Sequence, residues 1–282
     1  MELISFIADK RKICRELNKD EGVVHMILCH IYDIEPSSLY LHYYKEINKD
    51  VINSFETYFT PYLNDSYPLQ YLLGYTYFYS LKLEVNSNVL IPRSETEELV
   101  EKVLKDHQNI LDSLVIADIG TGSGAIALAL KHNRKQDKVI ACDISLSALE
   151  VAKRNAQRLG LELEFKQSNL LDTLIKENVK VDIIVSNPPY IAEDDIEVAD
   201  LVKKHEPHLA LYAKEQGLAC YKEILEKCKK VLKPQGKIYF EIGYKQKDAI
   251  YKIVQDLDIS SNIECYQDIY GNDRIIKILL KN

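Results

Sequence analysis

The sequence predicts an α/β protein, a mostly parallel sheet with helices on both faces and an antiparallel strand at its C-terminal end, preceded by a small helical domain. Three observations carry this prediction. After residue 112, short β-branched runs alternate with helix-length amphipathic segments. Residues 1 to about 75 show helical periodicity. A glycine-rich turn joins the first alternating strand to the helix behind it. The length of 282 residues suits two domains, at roughly 150 residues for each.

The helical part begins with Leu3, Ile4, Phe6, Ile7, Ile13, Cys14 and Leu17 on one face. Asp20 is placed to cap a second helix carrying Val23, Val24, Ile27, Leu28 and Ile31. Glu35-Pro36-Ser37-Ser38 breaks the chain before a third helix. Asp50 is then expected to cap Val51, Ile52, Phe55 and Phe59, a run that Pro61 should end. A last turn covers Pro68 to Leu73 and closes at Gly74.

From Tyr75 the period changes. Tyr77-Phe78-Tyr79 and Leu81 to Val85 read as short strands, with Asn86-Ser87-Asn88 as a turn before Val89-Leu90-Ile91. Ser94 with Glu97 reads as a capping box that opens a helix through about His107. These signals divide the chain into a helical domain over 1–74, a connector with a short β-hairpin over 75–93, and an α/β domain over 94–282.

Within that domain the strands are expected at 114–119, 138–144, 163–165, 181–186, 237–242, 264–266 and 274–280. The helices are expected at about 124–133, 147–159, 218–232 and 246–256, with Gly160 closing the second. No helix-length segment separates the last two strands, so they should pair as an antiparallel hairpin.

Composition narrows the function classes. The chain carries 36 basic and 43 acidic residues, net charge −7, a balance that disfavours a nucleic-acid binder relying on a strongly basic face. The acidity is shared between the first 85 residues and the remainder, so no basic domain is hidden in the average. No apolar run approaches the roughly 18 to 20 residues of a membrane span. The first ten residues, with Glu2 and Asp9, resemble neither a signal peptide nor a transit peptide. Cys14, Cys29, Cys142, Cys220, Cys228 and Cys265 form no CxxC pair and no metal-ligand spacing. They read as reduced thiols of a cytoplasmic protein, and no metal is expected.

Val115 to Ile119 run straight into Gly120-Thr121-Gly122-Ser123-Gly124, and a helix begins at Ala125. A glycine turn between strand and helix lets the backbone approach a ligand and aims free N–H groups at it. Asp143, at the end of the next strand, can accept both hydroxyls of a ribose. Gly120, Gly122 and Ala125 satisfy the Rossmann dinucleotide fingerprint, so the turn alone does not separate a nicotinamide cofactor from another adenosine-containing ligand. A P-loop is excluded because no Lys-Ser/Thr pair closes the turn. Asp118 admits two readings, a satisfied buried carboxylate or a partner for a ligand ammonium.

The fourth strand of the alternation ends in Asn187-Pro188-Pro189-Tyr190. Two prolines fix two backbone φ angles and leave a stiff segment with exposed carbonyls. The Asn187 side-chain oxygen and the Pro188 backbone oxygen can together receive both hydrogens of one planar –NH2 group. Tyr190 adds an aromatic face for a flat amide or base. A conjugated –NH2 is a poor nucleophile because its lone pair is delocalised. Two hydrogen bonds to its protons raise electron density on nitrogen and point the lone pair at an electrophile, and no base is needed before attack. Arg93 and Glu97 form either a surface ion pair or part of a pocket lining.

With these motifs in place, the chain resembles the glutamine-specific N(5)-methyltransferases that modify peptide chain release factors, which are class I, S-adenosylmethionine-dependent enzymes with a Rossmann-like sheet and an N-terminal helical domain. The matching segments are Pro68 to Gly74, Leu90 to Arg93 with Glu95 to Glu97, Asp118 to Ala125, Asn187 to Ile191, Glu206-Pro207 with Ala210-Leu211, Glu241 to Gly243 and Asp273-Arg274. Leu-Ile-Pro-Arg with Thr-Glu is the most specific of them, since Asn-Pro-Pro-Tyr also occurs in adenine-N6 DNA methyltransferases.

The resemblance implies that Asp118, Gly120, Thr121, Gly122, Ser123, Gly124, Asp143, Asn169, Leu170 and Asn187 bind S-adenosyl-L-methionine, which leaves as S-adenosyl-L-homocysteine. It implies that Asn187, Pro188, Pro189 and Tyr190 hold the glutamine amide of the release factor's Gly-Gly-Gln loop, and that the helical domain recognises that partner. A monomer with no direct nucleic-acid or membrane partner is expected. Two positions depart from the family pattern: Ser94 replaces a frequent Pro, and Asn169 replaces the Asp that usually meets the adenine amino group. Glutamine methylation of a ribosomal protein stays open beside this reading, and adenine-N6 methylation of nucleic acid stands behind it, because no basic recognition domain is legible.

Overall fold

The computed structural model describes residues 1–192 and 204–281. The chain divides into two compact units after Tyr75. In the first, α1 (Leu3–Glu16), α2 (Gly22–Tyr32), a 3-10 segment (Pro36–His42), α3 (Lys49–Asp65) and α4 (Leu69–Leu73) enclose a core that includes Phe6, Val24, Leu28, Phe55 and Phe59. The Phe6 and Phe55 rings meet edge-on with centroids 5.0 Å apart, a favoured aromatic geometry.

Three local expectations for this unit need correction. Asp20 does accept a hydrogen bond from Gly22 N, at 2.8 Å, but Glu21 occupies the cap position of α2. Helix α3 starts two residues before the expected run, so Asn48, accepting from Asp50 N, is the capping residue. Pro61 does not end α3, which continues to Asp65. Tyr62 and Leu63, beyond the proline, still pack on the core, and that packing outweighs one lost backbone bond. Gly74 closes α4 at φ 79°, where a left-handed residue satisfies the last carbonyls.

The second unit opens on a hairpin, β1 (Tyr75–Phe78) and β2 (Leu81–Glu84). Expected as part of a connector, it packs Phe78, Leu81 and Leu83 into the core of this unit. There follow α5 (Ser94–His107), β3 (Val115–Ile119), α6 (Ala125–Asn133), β4 (Lys138–Asp143), α7 (Leu146–Leu159) and β5 (Glu164–Gln167). The chain continues through α8 (Asp172–Lys176), β6 (Val181–Ser186), α9 (Ala219–Lys227), β7 (Leu232–Glu241), α10 (Lys247–Asp256), β8 (Ser260–Gln267) and β9 (Asp273–Leu280). The capping box is not formed. The helix starts at Ser94 itself, whose hydroxyl donates to Glu95, while Glu97 Oε1 accepts from Tyr79 N on the hairpin at 2.7 Å.

The seven strands run in the order β5-β4-β3-β6-β7-β9-β8. The first five are parallel to their neighbours, and β9 pairs antiparallel with both β7 and β8. Successive side chains of a strand face opposite sides, and the core follows that period. Ile119, Ile140, Ile184, Ile238 and Phe240 pack with α9 and α10 on one face. Ile116, Val139, Ile183, Val185 and Tyr239 pack with α5 and α6 on the other. Burial on both faces explains why these strands read as continuous apolar runs. β7 begins five residues before its expected start, tolerating Pro234 and Gly236 beside a register shift between Val181 and Ile183. β8 is also longer than expected, hidden by its polar start Ser260-Ser261-Asn262.

The topology fixes the site. The chain adds β4 and β5 on one side of β3 and then returns to place β6 on the other. The carboxyl ends of β3 and β6 thus lie side by side at the point where strand order reverses, where open sheets bind ligands. Ser186 Oγ donates to Ile119 O at 2.6 Å, which ties the two strand ends together.

Candidate active site

The turn after β3 adopts the backbone that its glycines allow. Gly120, Gly122 and Gly124 have φ of 76°, 55° and 85°, and a Cβ at Gly124 would press on Leu128 and Ala152. Asp143 braces the turn from β4: its carboxylate accepts from Gly122 N at 2.8 Å and from Ser145 N at 2.9 Å. Burial pushes the Asp143 carboxyl above its ordinary range against these bonds. Asn155 of α7, fully buried, accepts from Glu84 N and donates to Glu84 O and Ser123 O. That side chain joins the hairpin to the glycine turn, a role invisible along the sequence.

A cleft of about 380 Å³ opens over this turn. Among the residues expected to bind cofactor, Gly120, Gly122, Asp143, Asn169, Leu170 and Asn187 line it, and Pro189 joins them. Asp118, Thr121, Ser123 and Gly124 do not. Asp118 is wholly buried beneath the turn, where its Oδ2 accepts from Thr121 Oγ1 at 2.6 Å and from Ala127 N at 3.2 Å. Its Oδ1 has no hydrogen-bond partner among the described residues. Burial pushes this carboxyl up to about 7, because an unpaired charge in a low-dielectric interior is costly.

Further walls of the cleft come from Ser87 to Leu90 after the hairpin, Ile144 and Ser145 after β4, and Ser168 after β5. Leu170 takes φ 45°, a left-handed conformation that a branched side chain resists. Ser168 holds it there, its hydroxyl donating to Leu170 O and accepting from Thr173 N.

A second, smaller pocket of about 200 Å³ lies at the end of β6, lined by Asn187, Pro188, Tyr190, Arg93 and Glu241 among others. Among the described residues only Leu90, Asn187 and Ala210 line both spaces. The tetrad is rigidly mounted. Gln246 Nε2 donates to Tyr190 O at 2.9 Å while Gln246 Oε1 accepts from Gly243 N. Ile191 exchanges backbone bonds with Leu211 and Ala213. Burial pushes the Tyr190 phenol up to about 12, so the ring presents a neutral face. Arg93 does not pair with Glu97: its guanidinium meets Glu206, which is buried and also accepts from Ile91 N. Arg93 and Glu206 are 113 positions apart, too far for any local pattern to report. Among the described residues no cluster of His, Cys, Asp and Glu fits a metal ion, and no helix is long and apolar enough to cross a membrane.

The chain is similar to known proteins. Residues 95–211 match the family model of the methyltransferase small domain. A release factor glutamine methyltransferase of Lactococcus lactis is 48% identical over 217 residues, 77% of this chain and 78% of that protein. One of Enterococcus faecalis is 40% identical over 258 residues, 91% of each. A solved methyltransferase from Pyrococcus furiosus has the same fold, with TM-score 0.51 and 20% identity over 72% of this chain and 89% of that one. The protein is thus a class I methyltransferase. Within that class, the chain belongs to the release factor glutamine methyltransferase family.

Proposed function

We propose that this chain methylates the side-chain amide nitrogen of the glutamine in the Gly-Gly-Gln loop of a peptide chain release factor, with S-adenosylmethionine as donor. One observation carries the reading: Asn187 stands where the cleft over the glycine turn meets the pocket of the Pro-Pro segment. A donor in the first space and an amide in the second would meet there.

When bound, S-adenosylmethionine supplies an electrophilic methyl on a sulfonium. The residues fit it: Asp143 and the glycine turn border the cleft, and Asp118, buried beneath that turn, adds a carboxylate whose negative charge favours the donor's ammonium. The chain's own contribution to transfer is orientation. Asn187 Oδ1 and the Pro188 carbonyl accept the two amide hydrogens, and Tyr190 covers the amide plane. The amide nitrogen gives up a proton after it gains the methyl, so its net charge is restored. The N-terminal unit carries exposed Tyr40, Leu41 and Tyr44, an apolar patch suited to a protein partner. The acidic balance of the chain, 36 basic against 43 acidic residues, favours a protein substrate over nucleic acid.

Asp118→Asn is expected to weaken S-adenosylmethionine binding on the order of tenfold, the loss of a buried negative charge beneath the glycine turn. In the wild type, affinity should fall as pH drops through about 7, where Asp118 becomes neutral. Calorimetric titration between pH 6 and 8.5 checks both. The substrate is tested by offering labelled S-adenosylmethionine with release factor, ribosomal protein or adenine-rich DNA. Label is expected on the release-factor glutamine; label on DNA and on neither protein would overturn the reading.

A further inference from the structure

We propose that Glu241 and Thr96 are positioning residues that determine which way the Asn187 amide faces. This rests on the acceptor role given to Asn187 above. Three elements converge here: Asn187 from the end of β6, Glu241 from the end of β7 and Thr96 from the first turn of α5. Asn187 Nδ2 donates to Thr96 Oγ1 at 3.1 Å. Thr96 and Glu241 are both buried, and the Thr96 hydroxyl and the Asn187 amide favour the charged form of Glu241 by hydrogen bonding. Glu241 Oε2 has no hydrogen-bond partner among the described residues, and Glu241 lines the pocket assigned to the incoming amide.

The oxygen and the amino group of an Asn amide have nearly the same shape, so only their partners decide which end points where. A carboxylate can only accept. With Glu241 ionised, the single hydroxyl hydrogen of Thr96 goes to Glu241, and Thr96 Oγ1 is left to accept from Asn187. The amino end of Asn187 then faces Thr96, and Oδ1 is turned outward to receive a substrate –NH2. A flipped Asn187 would set amino group against amino group, donor facing donor.

The direction of this chain of bonds depends on the charge of Glu241. Burial pushes its carboxyl up to about 7, while Thr96, Arg274 and Asn187 favour the charged form and Glu95 opposes it. The Tyr190 and Tyr221 phenols also face it, Tyr221 donating to its backbone carbonyl. Arg93 lines the same pocket. A protonated Glu241 can donate to Thr96, and the sequence of donors can then run backwards, releasing Asn187 to flip.

The test compares Glu241→Gln, Thr96→Val and Thr96→Ser in the full-length protein. Glutamine keeps the shape of Glu241 but can donate, and valine keeps the shape of Thr96 without its hydroxyl. Both variants should lower kcat for transfer to release factor by about 10- to 100-fold, with S-adenosylmethionine affinity within about twofold of wild type. Thr96→Ser should restore most of kcat. At saturating S-adenosylmethionine, the wild-type kcat should fall as pH drops below about 7, and that fall should vanish in Glu241→Gln. Without any substrate, the Asn187 side-chain amide protons should exchange slowly in the wild type at pH 8 and faster in Glu241→Gln and Thr96→Val, read by 15N–1H spectroscopy. A kcat within about threefold of wild type in both variants, or unchanged Asn187 exchange, would overturn the proposal. Should Glu241→Gln fail to fold, the Thr96→Val and Thr96→Ser pair decides alone. A wild type that methylates no release factor but shows the expected exchange pattern refutes the substrate reading and leaves this positioning role standing.

Discussion

Asn187→Ala removes methyl transfer while leaving S-adenosylmethionine bound: kcat is expected to fall about 10²- to 10³-fold, the effect of deleting one preorganised polar group aimed at the reacting atoms. The methyl side of Asn187 is a small share of a cleft whose other walls include Gly120, Gly122, Asp143 and Ser168, so the dissociation constant should stay within about threefold. On the other side, only the Pro188 carbonyl then remains to hold the acceptor –NH2, leaving one of its hydrogens unpaired. Single-turnover transfer measured beside equilibrium dialysis separates the two effects. A parallel loss of cofactor affinity would place Asn187 among the donor's contacts instead.

The second large effect comes from a residue outside both pockets. Gly217 has φ 84°, and a Cβ there would lie 2.0 Å from the Tyr190 carbonyl oxygen and 2.7 Å from Gln246 Nε2. Alanine cannot be accommodated unless the Tyr190 peptide moves. Gln246 holds that peptide from the opposite element, so the movement passes to Pro188 and Pro189. A displacement of about 1 Å at reacting groups costs on the order of 100-fold in rate, and Gly217→Ala should show that loss in kcat. Gly271→Ala is the matched control. Gly271 has a similar φ of 82° with nothing near its would-be Cβ. Both variants should lose stability from the left-handed backbone, about 1 kcal/mol, but only Gly217→Ala should lose transfer. Equal kcat in the two variants would show that Gly217 does not carry the tetrad.

The contrast between these residues marks what the sequence could reveal. Asn187 was legible because a Pro-Pro pair after an apolar strand has few structural uses and sits seven residues past the start of that strand. The alternation of strands and helices was legible because sheets buried on both faces write β-branched runs into the chain. The roles of Gly217, Thr96, Asn155 and Glu241 were not, although Thr96 and Glu241 stand in segments that carry the family resemblance, since each acts through a partner distant in sequence: Glu84 and Asn155 are 71 positions apart, and Asn187 and Thr96 are 91. The capping box at Ser94 failed for a related reason. Glu97 had a better partner on the hairpin, at Tyr79 N, than at its own helix start. Pro61 misled because propensity is a weak term beside the packing of Tyr62 and Leu63.

The bond from Ser186 to the Ile119 carbonyl has a consequence for anyone who wishes to transplant this chemistry. The donor-side turn and the acceptor-side tetrad hang from adjacent strands paired Ile116 to Ile183 and Asp118 to Val185, so the sheet itself is the ruler between them, set at about 4.8 Å. Moving residues 181–192 alone into another scaffold would carry the amide clamp without the graduation that aligns it. A working graft has to bring both strands, in this pairing offset, with the serine latch that stops one from sliding along the other.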